Sequence, residues 1–343
     1  MAVYCLLVVA AAILSPLYGT AARQQPSQVV IAVVDDLTRR PLPNADVIDL
    51  ETGRHRLTND DGKVTLTWPA NRVLSLRVRE VGYKPIERIL RARDATDGTA
   101  IFGMSRTAYV IAPVQSTSRC ATEADSASRL LSVAVLEQLQ QGAGKYEHFR
   151  RQYPFDVVVE RRTTLDRDSA GIRVHRTRER YSSGTWEEKY RPGNIVMGPD
   201  SRFFRVPVLF LSTLADPVFW ENHCFVARGV ETLNGSRVVR LEFSPSANIR
   251  GPDWEGAALL DSATSILKRV EYRVANLGRN RGPQRFEGYS TYRSPSPFVV
   301  MPDTTVVVWW LRRAQRDSVW GEPDVGQMLH LHELQFRKEP PRN

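Results

Sequence analysis

Short stretches in which apolar and polar residues strictly alternate run through most of this 343-residue chain. Turn residues break them roughly every 8–12 positions. Only a pleated strand sends successive side chains to opposite faces, so the pattern restricts the chain to a mainly β fold. In "VLSLRVR", Leu74, Leu76 and Val78 oppose Ser75, Arg77 and Arg79, and in "KVTLT", Val64 and Leu66 oppose Lys63, Thr65 and Thr67. The length allows two domains and a substantial core.

The stretch "LTNDDGKVTLTW", Leu57–Trp68, places an Asp-Asp-Gly turn before one of these strands. Gly62 suits a turn position with positive φ, and Asp60 and Asp61 read as turn residues rather than metal ligands. Around it come "QVVIAVVDD", the Pro-rich bend "PLPNADV", "TGR", and "LSLRVREVGYKP" with its Gly82-Tyr83 pair. This order resembles the carboxypeptidase regulatory-like domain, a prealbumin-like β-sandwich of about seven strands, over residues 28–95. The resemblance implies a domain without catalytic residues of its own. After it, residues 96–118 are expected to hold one last strand, Tyr109–Val114, and a Ser/Thr-rich linker.

The second domain is expected over residues 119–338 and opens on the best helical pattern in the chain. Ala127, Leu130, Leu131, Ala134, Leu136 and Leu139 follow helical spacing. Thr122 and Asp125 could cap the start, and Gly142 and Gly144 could stop the helix. Eight or more alternating stretches follow, from "FDVVVERRTTLD" to "MLHLHELQFRK". The run "RLEFSP … GAALLDSATSILKRVEYRV" is similar to the sheet of bacterial lipoprotein-carrier half-barrels, in which a curved antiparallel sheet wraps a helix. The likeness implies an apolar concavity. A regulatory-like domain joined to such a half also resembles bacterial envelope proteins of unassigned role.

The first 22 residues carry no Lys, Arg, Asp or Glu, and "VYCLLVVAAAILSPLYGTAARQQ" has an apolar run of signal-peptide length. Export with cleavage near Ala22 is expected, with a membrane anchor as the alternative. The run to Pro16 is shorter than the roughly 20 residues a spanning helix needs. No other window approaches that length, so no transmembrane segment is expected in the mature chain, which would sit in the periplasm or at the outer-membrane periphery. There, Cys120 and Cys224 could form a disulfide. The alternative is a reactive thiol beside His223.

Candidate chemistry is sparse. "HLHE", His330–Glu333, has the local spacing of a zinc-carboxypeptidase ligand pair but no later His. On a regular strand His330 and His332 would share one face and Glu333 the other. No metal or cofactor is expected. Arg176, Arg178 and Arg180 share a strand face and read either as a solvated face or as an anion-binding stripe. The formal charge of +9 favours anionic partners without choosing among them. Nucleic acid is not expected, because no recognised motif is present.

The most apolar stretch, 203–225, contains Phe204, Phe210, Leu214, Phe219 and Trp220, and is broken by Pro207 and Pro217. It either fills the core or rims a cavity, to which Trp309 or Trp310 could add. No nucleophile elbow, phosphate loop or dinucleotide pattern occurs. The expectation is a non-enzymatic envelope protein that binds a lipid, acyl chain or other apolar ligand in the sheet domain. The alternative is an interaction module for an outer-membrane complex or carbohydrate polymer, acting through the sandwich on an envelope protein partner.

Overall fold

The structure, a computed structural model, describes residues 28–69, 73–107, 126–168, 171–185, 187, 189–195, 208–277, 284–296, 299–310 and 325–337. It is mainly β, with two bodies of sheet and one long helix between them.

The first body runs β1 (Gln28–Asp35), β2 (Asp46–Asp49), β3 (Arg54–Leu57), β4 (Lys63–Thr67), β5 (Val73–Arg79), β6 (Ile86–Arg91) and β7 (Thr99–Met104). Two sheets, ordered β4-β1-β7 and β3-β2-β5-β6, face each other. Alternation sets the core: Val29, Ile31 and Val33 from β1, Leu74, Leu76 and Val78 from β5, and Ala100, Phe102 and Met104 from β7 are buried together. Among the described residues the closing strand is β7, which pairs parallel with β1. It precedes Tyr109–Val114, a stretch that lies outside the described residues. Gly62 has φ +70°, and a Cβ there would lie 2.6 Å from the Val33 carbonyl oxygen. The Asp-Asp-Gly turn is a tightly packed corner.

The second body begins with α1 (Ser126–Gln152). The strands are β8 (Phe155–Asp168), β9 (Gly171–Ser182), β10 (His223–Leu233), β11 (Ser236–Pro245), β12 (Asp253–Asp261), β13 (Leu267–Ala275), β14 (Arg285–Ser296), β15 (Val299–Trp310) and β16 (Val325–Phe336). They form one sheet in the order β10-β11-β12-β13-β14-β15-β16-β8-β9. Every neighbouring pair is antiparallel. Two short helices, α2 (Leu211–Leu214) and α3 (Pro217–Asn222), lead into β10. Asp216 caps α3 by accepting from the Val218 N–H at 2.8 Å, and Pro217 takes the first helical position.

Two expectations for α1 need correction. The helix does not stop at Gly142 or Gly144 but continues to Gln152, ahead of Pro154. A glycine inside a helix costs about 1 kcal/mol relative to alanine; at Gly144 there is a packing reason, while at Gly142 a Cβ would make only an ordinary contact. A Cβ on Gly144 would lie 3.1 Å from Arg79 Nη2 of the sandwich, and one on Gly142 would lie 3.6 Å from Leu211. Of the expected apolar stripe, Leu139 is buried and Leu131 and Leu136 pack on the core, but Leu130 is 71% exposed, and Val135, Tyr146 and Phe149 extend the buried face instead.

In the large sheet two glycines flank an aromatic. Tyr272 on β13 stands opposite Gly256 on one side and Gly288 on the other. A Cβ at Gly256 would lie 1.9 Å from Glu271 O, and one at Gly288 would lie 2.3 Å from Val306 O. The Tyr272 ring covers this bare backbone and meets Trp254 edge-on, centroids 5.1 Å apart.

Candidate functional site

The sandwich and the sheet body meet at a cleft of about 300 Å3. The turn after β5 supplies Glu80 to Tyr83, α1 supplies Gln138, Leu139, Gly142 and Lys145, and the β12–β13 turn supplies Ala263 to Leu267. Gly82 has φ +89° and brings the turn close to the Thr264 carbonyl. Gln138 grips the turn from the helix. Its Oε1 accepts from the Gly82 N–H at 2.6 Å, and its Nε2 donates to the Tyr83 carbonyl at 3.1 Å.

Charge in the cleft is paired but desolvated. Lys145 Nζ donates to both Glu80 oxygens, at 2.9 and 3.0 Å. Burial pushes the Glu80 carboxyl up, and Lys145 opposes that rise. At the sandwich end, Asp35 accepts from the Thr38 N–H at 2.8 Å, from Arg106 Nε at 2.9 Å and from Tyr83 OH at 2.9 Å. The Thr38 N–H first, and then the Arg106 guanidinium, hold Asp35 well below the usual carboxylate range. Burial and the Asp35 bond push Tyr83 up to about 12. The remaining wall is mostly apolar, with Val81, Leu139, Leu211, Ile266, Leu267 and Val300, joined by Thr264, Ser265 and Ser294. The cleft can therefore hold a small molecule with one polar end.

The expected ligand residues divide. Leu214 and Phe219 have 0% accessible surface and so border neither solvent nor a void that admits water. Both belong to the core between α1 and the sheet, with Trp220 and Trp309 packed against it. Phe210 is buried at the start of α2. Trp309 stacks on Phe286 on this inner face, at 6.1 Å, whereas Trp310 lies beneath Arg285 on the outer face, at 4.7 Å. Phe204 lies outside the described residues.

The remaining candidates stand apart from the cleft. Cys224 is not a free thiol, and its expected partner Cys120 lies outside the described residues. His223 is enclosed, its Nδ1 2.9 Å from Phe219 O and its Nε2 2.9 Å from Trp254 O. Burial pushes its pKa down, against the pull of Asp253. Asp253 in turn accepts from Tyr190 OH and the Gly193 N–H, both at 2.7 Å. This network ties the 190–195 loop to β10 and β12 and leaves His223 no route to act as a base.

Arg176, Arg178 and Arg180 are exposed on β9. A bulge at His332 shifts the β16–β8 register, so that Glu333 falls on the His330 face rather than opposite it. Among the described residues, no three His, Cys, Asp or Glu side chains stand together as a metal site.

Of the cleft residues, Gly82, Tyr83, Leu139 and Gly142 stand out in the sequence only as fold residues, and Glu80, Gln138 and Lys145 do not stand out. A signal for them existed: Gln138, Gln141 and Lys145 interrupt the apolar face of α1 at spacings of three, four and seven. All three are buried, which marks a second surface packed on that helix. Neither a protein-family model nor a curated protein matches the chain.

Proposed function

We propose that this protein is a non-enzymatic binder that holds a small amphipathic ligand in the cleft between the sandwich and the sheet body. The observation that carries the reading is the junction of an apolar wall with the buried Glu80–Lys145 pair in a space of about 300 Å3. Ligand sites favour domain interfaces and combine apolar linings with a few convergent polar groups. The full burial of Leu214 and Phe219 supports the cleft over the sheet interior as the place for an apolar ligand.

The resemblances to a regulatory-like sandwich and a lipoprotein-carrier sheet fit a binding role in a bacterial envelope, reached through export after cleavage near Ala22. In that setting Cys120 pairs with Cys224 and ties the start of α1 to β10. An interaction module is the second reading. Ile89 and Ile101, exposed on the edge strands β6 and β7, favour it.

Native mass spectrometry of the gently purified protein, with titration of the amphipathic dye 8-anilinonaphthalene-1-sulfonate, tests the first reading. A bound small molecule, or saturable 1:1 dye binding weakened at least tenfold by Ile266→Trp, is the expected result. A clean apo mass with no saturable dye binding rejects the cleft as a ligand site.

A further inference from the structure

The outer face of the large sheet, turned away from α1, has two electrostatic regions. On β10 to β14 every arginine of the face stands beside a glutamate. Arg228 meets Glu242 at 2.7 Å, Arg240 meets Glu231 and Glu271 at 3.3 Å, and Arg269 meets Glu271 at 3.1 Å. Arg273 meets Glu255 and Arg285 meets Glu287, both at 2.8 Å. Five arginines face five glutamates, so this part is neutral.

The other end of the same face is not balanced. The register sets Arg162 of β8 directly across from Arg176 of β9, and Glu160 across from Arg178. Arg180 follows Arg178 on the same side. Glu160 lies 2.5 Å from Arg162 and 3.7 Å from Arg178. With Arg337, five arginines of this strip stand against three carboxylates: Glu160, Asp156, which Arg337 meets at 2.6 Å, and Glu333 on the same face. Like charges placed directly across a strand pair destabilise a sheet; Glu160 offsets Arg162 in the Arg162–Arg176 pairing, and an anion bound outside would relieve the rest.

Apolar side chains are exposed among these charges. Met328 of β16 pairs with Arg162 in register, and Val174 sits two residues before Arg176. They are 39% and 50% exposed. A cationic strip studded with exposed apolar residues matches a lipid interface, where guanidinium groups meet phosphates and short apolar side chains reach the acyl boundary.

We infer that the β16-β8-β9 end of the outer face docks on an anionic phospholipid surface, through Arg162, Arg176, Arg178 and Arg180 flanked by Met328 and Val174. The surface is separate from the cleft and does not depend on it.

Co-sedimentation of the full chain with vesicles tests the docking, comparing phosphatidylcholine alone with phosphatidylcholine containing phosphatidylglycerol. The expected result is tighter binding to the anionic vesicles, suppressed by high salt. Each basic residue near such a surface contributes about 1 kcal/mol, so the triple change Arg176→Gln, Arg178→Gln, Arg180→Gln should weaken that binding on the order of a hundredfold. A control triple, Arg228→Gln, Arg240→Gln, Arg273→Gln, removes the same formal charge from the neutral region and should weaken it far less. Any apolar adsorption from elsewhere in the chain adds equally to both vesicle types and all variants.

Three outcomes overturn the inference: no preference for anionic vesicles, no loss in the β9 triple, or equal loss in both triples. Binding to heparin without binding to vesicles also overturns it, in favour of a soluble polyanion. If the β9 triple misfolds by circular dichroism, the single change Arg178→Glu, at a side chain 62% exposed, gives the same readout.

Discussion

Asp35 is the most heavily solicited side chain of the sandwich, accepting from backbone, arginine and tyrosine at once. Its lowered pKa means that the folded protein holds the ionised form more tightly than the unfolded chain does. That contribution is present above the ordinary value of 3.8 and is lost as pH falls through the depressed one. Asp35→Asn should therefore destabilise at pH 7, with the gap to wild type narrowing at pH 3, as read by urea unfolding at both pH values. Lys145 works differently. Lys145→Met would strand Glu80 in a site burial has made hostile to charge, and breaking such a pair costs about 3–5 kcal/mol. Thermal melts of Lys145→Met beside the double variant Glu80→Gln, Lys145→Met should show most of that loss recovered in the double. The turn chemistry of Asp60, Asp61 and Gly62 was legible from local sequence. The partners of Lys145 and Gln138 were not, because Glu80 and Gly82 lie more than fifty residues away and no local pattern encodes the pairing.

Among elements, strands were legible and the helix was not fully so. Alternation located β4 and β5, because one face of each packs on a core, and a β-branched run located β1. Gly142 and Gly144 read as a stop because local propensity says so, yet the helix runs through both, and at Gly144 it lets Arg79 approach. The "HLHE" strand was misread by one residue beyond its bulge, since a bulge reverses the facing of everything after it. The glycines that flank Tyr272 on β12 and β14 make their own demand. Gly288→Ala would push a Cβ into the Val306 carbonyl and should cost about 1–3 kcal/mol as an overpacking change, measurable as a lower urea midpoint. Gly235, in the β10–β11 turn with open space around it, gives no comparable steric clash.

At the scale of the whole molecule, the two bodies are joined by contacts that titrate. His55 of β3 stacks on His148 of α1 across the junction, centroids 5.7 Å apart. His55 Nδ1 lies 3.0 Å from Asp46, which also accepts from Arg79 at 2.6 Å. Burial lowers His148, opposed by Asp46 and reinforced by His55 and Arg151. A base with a depressed pKa is held neutral in the docked state. The junction should thus weaken as pH falls below the ordinary 6.5. Small-angle scattering at pH 8 and pH 5 should show a looser particle in acid, and His148→Gln should reduce the change. The order of the large sheet has a temporal consequence as well. The hairpin β8–β9 comes first among the strands of that sheet, yet β8 pairs with β16, the last described strand. Loop closure across that span precedes any reward from the contact. Leu331 must reach the buried group around Phe155 and Val157 before it is complete. A ribosome therefore releases the sandwich with all its described strands to hand, while the large sheet waits, one side open, until β16 has emerged.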